Sequence, residues 1–438
     1  MKKSNRLRLT AAVLALLLVC GLAGCAVDPI REMGKDLVAV TDVDLPVESA
    51  DGTVHSRILL RDSLISTRPL DVSRVELYAL TVEDVQAAAE ALFPDCTLYA
   101  YAAPGFADRE AALARQSLWL ERATPEVLWA LYGDEAETAA AALAAPIPAD
   151  WVHPAEPEPL SSWAFQQEDG LEVLRLVAQT DELAYVLEAR RGPGVQELRV
   201  ELLPDCPSPM DFERKYTAYA HSLGVEPDRA ALDMAADTYL QNMNRGLGGW
   251  RPVRDEAIAE RYGAPGEPIS LRYGGMLHYS GAFLLDLPPR SLPEGYSYPR
   301  AELQLAFDGT LLSGYMLYGQ EEAQTLEEAP AQNTWEEALG LLEQDLQSRT
   351  AADFLPAHLP AGEQLRVELD VTLMQSGTAC IPESAPGSYL LVPGLQFLGD
   401  YRVYDGDKLL YSYCDDQGEA YLVSLMNLTD GSRILPAS

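Results

Sequence analysis

From Arg57 to the C-terminus, apolar positions follow two rhythms in turn, a period of two and a period near 3.6. Val75-Glu76-Leu77-Tyr78-Ala79-Leu80 alternates and predicts a strand. Thr81-Val82-Glu83-Asp84 then reads as a helix start, with a hydroxyl to cap it and acids in its first turn. That helix is expected to run to about Phe93, where Pro94-Asp95 stops it. Cys96 to Ala102 predicts another strand, followed by helical runs at Asp108–Arg122 and Pro125–Leu143. Leu171–Val177, Leu183–Ala189 and Val195–Leu203 alternate again, and Gly192-Pro193-Gly194 supplies a turn, so this region predicts an antiparallel meander. Helices are expected at Pro209–Leu223 and Pro227–Asn244, and strands from Ile269 to Tyr318. Within these strands, Asp308-Gly309 fits a tight hairpin turn between Glu302 and Leu312. Thr334-Trp335-Glu336-Glu337 repeats the earlier helix start, with Glu337 placed for a capping box. Gln364 to Leu428 reads as strand after strand.

This order predicts an α+β protein of several modules, with antiparallel sheets packed by helices. Pro146, Pro148, Pro154, Pro157 and Pro159 crowd one acidic stretch and mark the best boundary in the chain. The expected division is a leader at 1–24, a tether at 25–56, an N-terminal α+β module at 57–150, a middle α+β module at 160–330 and a C-terminal strand-rich module at 331–438. The tether is expected because Ala26 to Ser56 is polar and acid-leaning with little periodicity. Thr-x-Glu-Asp/Glu, at Thr81 and again at Thr334, hints at a repeated strand–helix–strand unit.

The first residues add an address. Lys2, Lys3, Arg6 and Arg8 precede a small and apolar run from Ala11 to Ala23, which is shorter than the roughly 20 residues of a membrane-spanning helix. The run ends in Leu22-Ala23-Gly24-Cys25, which resembles the lipobox of bacterial lipoproteins. The resemblance implies diacylglycerol on Cys25, cleavage just before it, and display on the outer face of the bacterial cytoplasmic membrane. The membrane partner is then reached through lipid, since two or more acyl chains hold a protein stably on a bilayer.

Composition narrows the partners. The chain of 438 residues has 67 acidic and 32 basic residues, a net charge of −35, and loss of the basic leader makes it more acidic still. Such a surface repels nucleic acid and anionic headgroups. Hydrophobic residues make up 48%, enough for real cores and against global disorder. Of six cysteines, Cys20 leaves with the leader and Cys25 takes lipid, so Cys96, Cys206, Cys380 and Cys414 remain. They permit two disulfides in any of three connectivities, or four buried thiols. Proximity in sequence favours Cys380–Cys414.

The C-terminal third carries a second resemblance. Ser388-Tyr389-Leu390-Leu391-Val392-Pro393-Gly394-Leu395-Gln396-Phe397-Leu398-Gly399 precedes a last strand and Leu428-Thr429-Asp430-Gly431-Ser432. This resembles uncharacterised lipoproteins of clostridia and their relatives, the YycH/YycI-type regulators of a cell-wall sensor kinase and, more loosely, PepSY-type modules. Leu395 stands where family members usually carry Trp. The resemblance spans Glu363 to the end. It implies antiparallel sheets packed by helices and an interaction role, and it transfers no catalytic residue.

Chemistry is sparse in the pattern. His55, His153, His221, His278 and His358 show no i, i+4 pair for a helical zinc site. Neither Gly-x-Ser-x-Gly nor Ser-x-x-Lys occurs. Asp405-Gly406-Asp407 and Asp415-Asp416-Gln417-Gly418-Glu419 offer oxygens for calcium, but turn chemistry between strands explains them better. Tyr296, Tyr298, Tyr315, Tyr318, Tyr389, Tyr401, Tyr404, Tyr411 and Tyr413 crowd the C-terminal half, as half-buried strand aromatics or as a stacking platform. The reading is a lipid-anchored surface protein that binds or regulates without catalysis, contacting a membrane or cell-wall protein through the C-terminal module. It assigns no catalytic, cofactor-binding or metal residue. The alternative is a surface hydrolase using a carboxylate pair, with or without calcium.

Overall fold

The computed structural model describes residues 37–434, apart from 62, 67, 153–157, 181, 205, 245–250, 262–267, 280–281, 286–299, 319–323, 357–358, 360–363 and 414–419. At 37, 64, 251–261, 268, 275–279 and 282–283 it describes the backbone alone. Cys25, Cys414, Tyr296, Tyr298 and the 415–419 acids therefore lie outside the described residues.

The chain opens with strands β1 (Leu37–Val40), β2 (Val43–Glu48), β3 (Val54–Leu60), β4 (Ser63–Ser66) and β5 (Val72–Glu76). Helix α1 (Val82–Leu92) and strand β6 (Thr97–Ala100) follow, then helices α2 (Arg109–Arg122), α3 (Pro125–Tyr132) and α4 (Ala136–Ala144). Next come β7 (Gln166–Glu168), β8 (Leu171–Gln179), β9 (Ala184–Gly192) and β10 (Val195–Leu203), then α5 (Phe212–Ser222) and α6 (Arg229–Met243). Strands β11 (Arg251–Arg261), β12 (Pro268–Tyr279), β13 (Ala282–Phe283), β14 (Ala301–Leu305), β15 (Leu311–Leu317) and β16 (Gln324–Glu327) precede α7 (Trp335–Ser348). The chain ends in β17 (Leu365–Pro382), β18 (Ser388–Asp405), β19 (Lys408–Ser412) and β20 (Tyr421–Asn427).

The expected α+β class is the class observed. One sheet has the order β11-β12-β14-β15-β10-β9-β8-β6, with β13 on β12 and β7 on β8, and is antiparallel throughout. Its inner face, including Leu176, Leu187, Val200 and Leu303, packs on α1 and α6. The second sheet has the order β16-β5-β18-β17-β3-β2, with β19 and β20 also on β18. Strand β18 is long enough to take β5, β20 and β19 in succession along one edge while β17 fills the other. Buried on both faces for most of its length, it reads as a nearly unbroken apolar run. Helix α7 closes a second core with Ile58, Val371 and Phe397.

The helix starts at Thr81 and Thr334 form as expected, and the one at Thr81 is a capping box like the one expected at Thr334. The Thr81 hydroxyl accepts from the Asp84 N–H, and the Asp84 carboxylate accepts from the Thr81 N–H. Thr334 and Glu337 do the same at α7. Thr334→Ala is expected to lower stability by about 1 kcal/mol, because two N-terminal N–H groups lose their arrangement. Urea unfolding checks this, and an unchanged midpoint would refute it.

Three expectations are corrected. Residues 37–56 are not tether: they supply β1, β2 and the start of β3. Val43-Asp44-Leu45-Pro46-Val47-Glu48 does alternate, and Pro46 is tolerated because β2 is an edge strand. The run Pro125–Leu143 is two helices, broken at Gly133, whose φ of 55° an α-helix does not allow. The C-terminal strands do not stand apart with free edges. β17 pairs in parallel with β3, and β18 pairs with β5, so the 331–438 window supplies the centre of a sheet flanked by β2, β3 and β5 from residues 43–76, with β16 outermost beside β5.

Candidate functional site

Strands β6 and β7 both pair antiparallel with the same edge of β8, one after the other. β6 faces residues Leu176 to Gln179, and β7 faces Leu171 to Val173. β9 runs along the whole of the opposite edge. One edge strand is thus assembled from two segments, and no described strand lies opposite Leu174 and Arg175. At that break the chain departs into the α2–α4 helical unit and returns. The unit is tied at its base, where Phe106 bridges Val152 and its N–H donates to the Trp151 carbonyl at 3.1 Å. It has its own core of Trp119, Leu131, Leu143 and, from α5, Phe212. Loops inserted between the parts of a rigid scaffold are where binding residues concentrate.

The break is a groove with a volume of about 440 Å³, within the roughly 300–1,000 Å³ of small-ligand pockets. The segment from Leu160 to Gln167 forms one wall, and Ala100 and Tyr101 form the other. The first wall is pinned at both ends. The Leu160 N–H donates to the Leu98 carbonyl at 3.1 Å, and Arg191 stacks on the Phe165 ring at 4.0 Å. Between these anchors Ser161 and Ser162 stay exposed, as does Gln166 just beyond them. Arg175 projects beside the groove, 5.8 Å from the centre of the Tyr101 ring. Its Nη1 donates to Glu168 at 2.6 Å, and its Nε donates to Glu188. The Glu188 hydrogen bond, with the Glu168 charge, holds the guanidinium even further into its charged range than usual. The groove therefore carries no uncompensated positive charge. Tyr101 is 39% exposed, a large ring facing solvent at the mouth.

A second cleft, about 250 Å³, lies between α2, α5 and the β9–β10 strands. His221 there binds Asp308 at 2.7 Å through Nδ1, with the Thr310 hydroxyl at 3.3 Å. Burial opposes ionisation of Asp308, but bonds from His221 and Thr310 outweigh it and hold the carboxyl below its ordinary range. The neighbouring Ser222 hydroxyl is committed to the Ile269 carbonyl and the Phe307 N–H, so it is not aligned with His221 as a nucleophile. At the other end of the cleft, Glu213 is buried between Arg115 and Arg122, as a clamp between α2 and α5. A third depression lies on the outer face of the long sheet, where Arg199 and Arg300 flank the Tyr315 ring at 5.5 and 5.2 Å. Charges there pair with each other: Glu197 bridges Arg190 across to β9 at 3.2 Å and Arg199 along its own strand at 3.1 Å. The cross-strand pair supports the sheet and compensates the buried Glu197 charge.

Residues singled out in the sequence are scattered. Cys380 is buried, and burial pushes its thiol well up; its proposed partner Cys414 is outside the described residues, so their pairing stays an expectation. Asp405-Gly406-Asp407 makes the β18–β19 turn, with Gly406 at φ 58°. Tyr401, Tyr413 and Tyr421 pack edge-on or tilted against one another, with Phe354 against Tyr401 and Tyr421, as sheet aromatics. Tyr315 and Tyr318 are likewise buried enough to push their phenols up. In the sequence the groove residues Ser161-Ser162 and Gln166-Gln167 stand out only by following the proline-rich boundary.

Among the described residues, no helix is long and apolar enough to cross a membrane, and no group of three or more His, Cys, Asp and Glu side chains is arranged to hold a metal ion. No protein-family model and no curated protein sequence matches the chain. Among solved structures, an uncharacterized protein from Eubacterium rectale is similar over 90% of this chain and 94% of its own, at 6% identity and a TM-score of 0.42. A likeness that faint carries no functional argument, so the groove's own chemistry has to.

Proposed function

We propose that this is a lipid-anchored binding protein of the bacterial cell surface, without catalysis, which takes its ligand in the groove opposite Leu174 and Arg175. The observation that carries the reading is the break in the edge strand, which opens a polar groove on a rigid sheet. Binding is favoured over turnover because the groove's hydroxyls, Ser161 and Ser162, share its lining with no histidine. The lining carboxylate, Glu168, is held by Arg175. The lipobox-like Leu22-Ala23-Gly24-Cys25 supports the location. Chain length alone keeps Leu37 within about 40 Å of a lipidated Cys25, so the body stays beside the bilayer and the wall. Confinement there raises the effective concentration of membrane and wall partners, and weak contacts suffice. The C-terminal likeness to sensor-kinase regulators points the same way, although β17 and β18 are too enclosed to offer an edge.

Cys25→Ala is expected to abolish incorporation of labelled fatty acid and to leave the protein uncleaved or shed. Equal label in both proteins would refute the anchor. Incubation with wall glycan is expected to release no reducing ends. Release that a single Asp or Glu substitution abolishes would replace the binding reading with the hydrolase.

A further inference from the structure

We infer that the groove takes a short, neutral, hydroxyl-rich ligand, an oligosaccharide of a few rings; this deepens the binding reading above and rests on it. Three features of the groove converge.

The first is charge. Arg175 is shared by Glu168 and Glu188, so a ligand carboxylate or phosphate meets no free cation, and both ion pairs are complete without a ligand charge. A neutral ligand disturbs neither. The second is the donor set. Ser161, Ser162, Gln166 and Gln167 each present both a donor and an acceptor. A sugar hydroxyl does the same, so each can be met whichever way it points. The third is Tyr101. Its exposed ring at the mouth offers an apolar face to the C–H side of a pyranose, while the polar wall faces the hydroxyl edge.

The same geometry argues against a peptide strand. The unpaired stretch of β8 is two residues, about 7 Å at roughly 3.4 Å per residue. β6 and β7 already occupy the line on either side, so an added strand would meet both ends. A compact ligand fits where an extended backbone does not.

The test uses the full chain in lipid nanodiscs, titrated calorimetrically with N-acetylglucosamine oligosaccharides of two to four units. Wild type is expected to bind. Tyr101→Ala is expected to weaken binding about tenfold or more, and Tyr101→Phe, which keeps the ring, to stay near wild type. Tyr101 is exposed, so the unfolding transition of both variants should match wild type. Absence of binding, or equal affinity in Tyr101→Ala, overturns the saccharide inference. Neutral peptides of two to four residues binding in its place, with the same Tyr101 dependence, also overturn it but leave the binding reading standing. Cleavage of the oligosaccharide overturns the binding reading itself.

Discussion

Gly399→Ala should lower the unfolding free energy by about 3 kcal/mol or more, at the upper end of what overpacking costs. Gly399 lies on β18 opposite Val371, beside the β17 register shift between Val371 and Leu373. A methyl group there would overlap the Asp370 carbonyl oxygen and stand 2.9 Å from the Asp370 carbonyl carbon and 3.0 Å from the Val371 Cα. All three atoms belong to backbone, so no rotamer change relieves the contact, and the central pair of the second sheet must separate. Gly340→Ala is the control. It lies in α7 with nothing within 4 Å of the added methyl, and should stabilise by up to about 1 kcal/mol through helix propensity. Denaturant unfolding of both variants checks the pair. A Gly399→Ala loss under about 1 kcal/mol would mean the strands part there at little cost.

Glu213→Ala is expected to cost about 3–5 kcal/mol, the range for removing one partner from a buried charge cluster. The Glu213 side chain is 6% exposed, with Arg115 at 3.5 Å and Arg122 at 3.6 Å. The Trp119 indole N–H and the Cys206 thiol both donate to Oε1. Its position in the first turn of α5 adds the favourable end of that helix's dipole. Truncation therefore takes a carboxylate away from two half-enclosed guanidinium groups and from a fully buried indole. Glu213→Gln keeps an acceptor for Trp119 and loses only the charge, so it should fall between wild type and Ala. Trp119 lies in the helical core that the substitution loosens, so the change should appear in tryptophan emission as well as in the unfolding curve. A Glu213→Ala loss near zero, with emission unchanged, would show that the clamp contributes nothing.

Much of the secondary structure was legible in the residues because its causes are local. The meander β8–β9–β10 follows from alternation and from Gly194, whose φ of 75° suits the turn. α1 and α7 begin at Thr81 and Thr334 because a hydroxyl and an acid three residues on satisfy the free N–H groups of a helix end within one turn. β2 escaped notice because Ala26 to Ser56 reads as one polar, acid-leaning stretch, and the short alternation from Val43 to Glu48 is lost in it. Alternation says which face of a strand is buried; it does not say against what. The pairing of β3 with β17 and of β5 with β18 joins segments about 300 residues apart, and the Arg74–Glu383 bridge at 2.7 Å was invisible for the same reason. In the sequence Glu213 is one acid among 67, and only the fold places Arg115 and Arg122 around it. The groove is the strongest case. Tyr101 is the residue after one short strand, and Gln166 begins another 65 positions later. They line one cavity only because both strands pair with β8. Local periodicity and caps determine which elements form. The partner of each element is decided by burial of all the cores at once, and here that choice made the site.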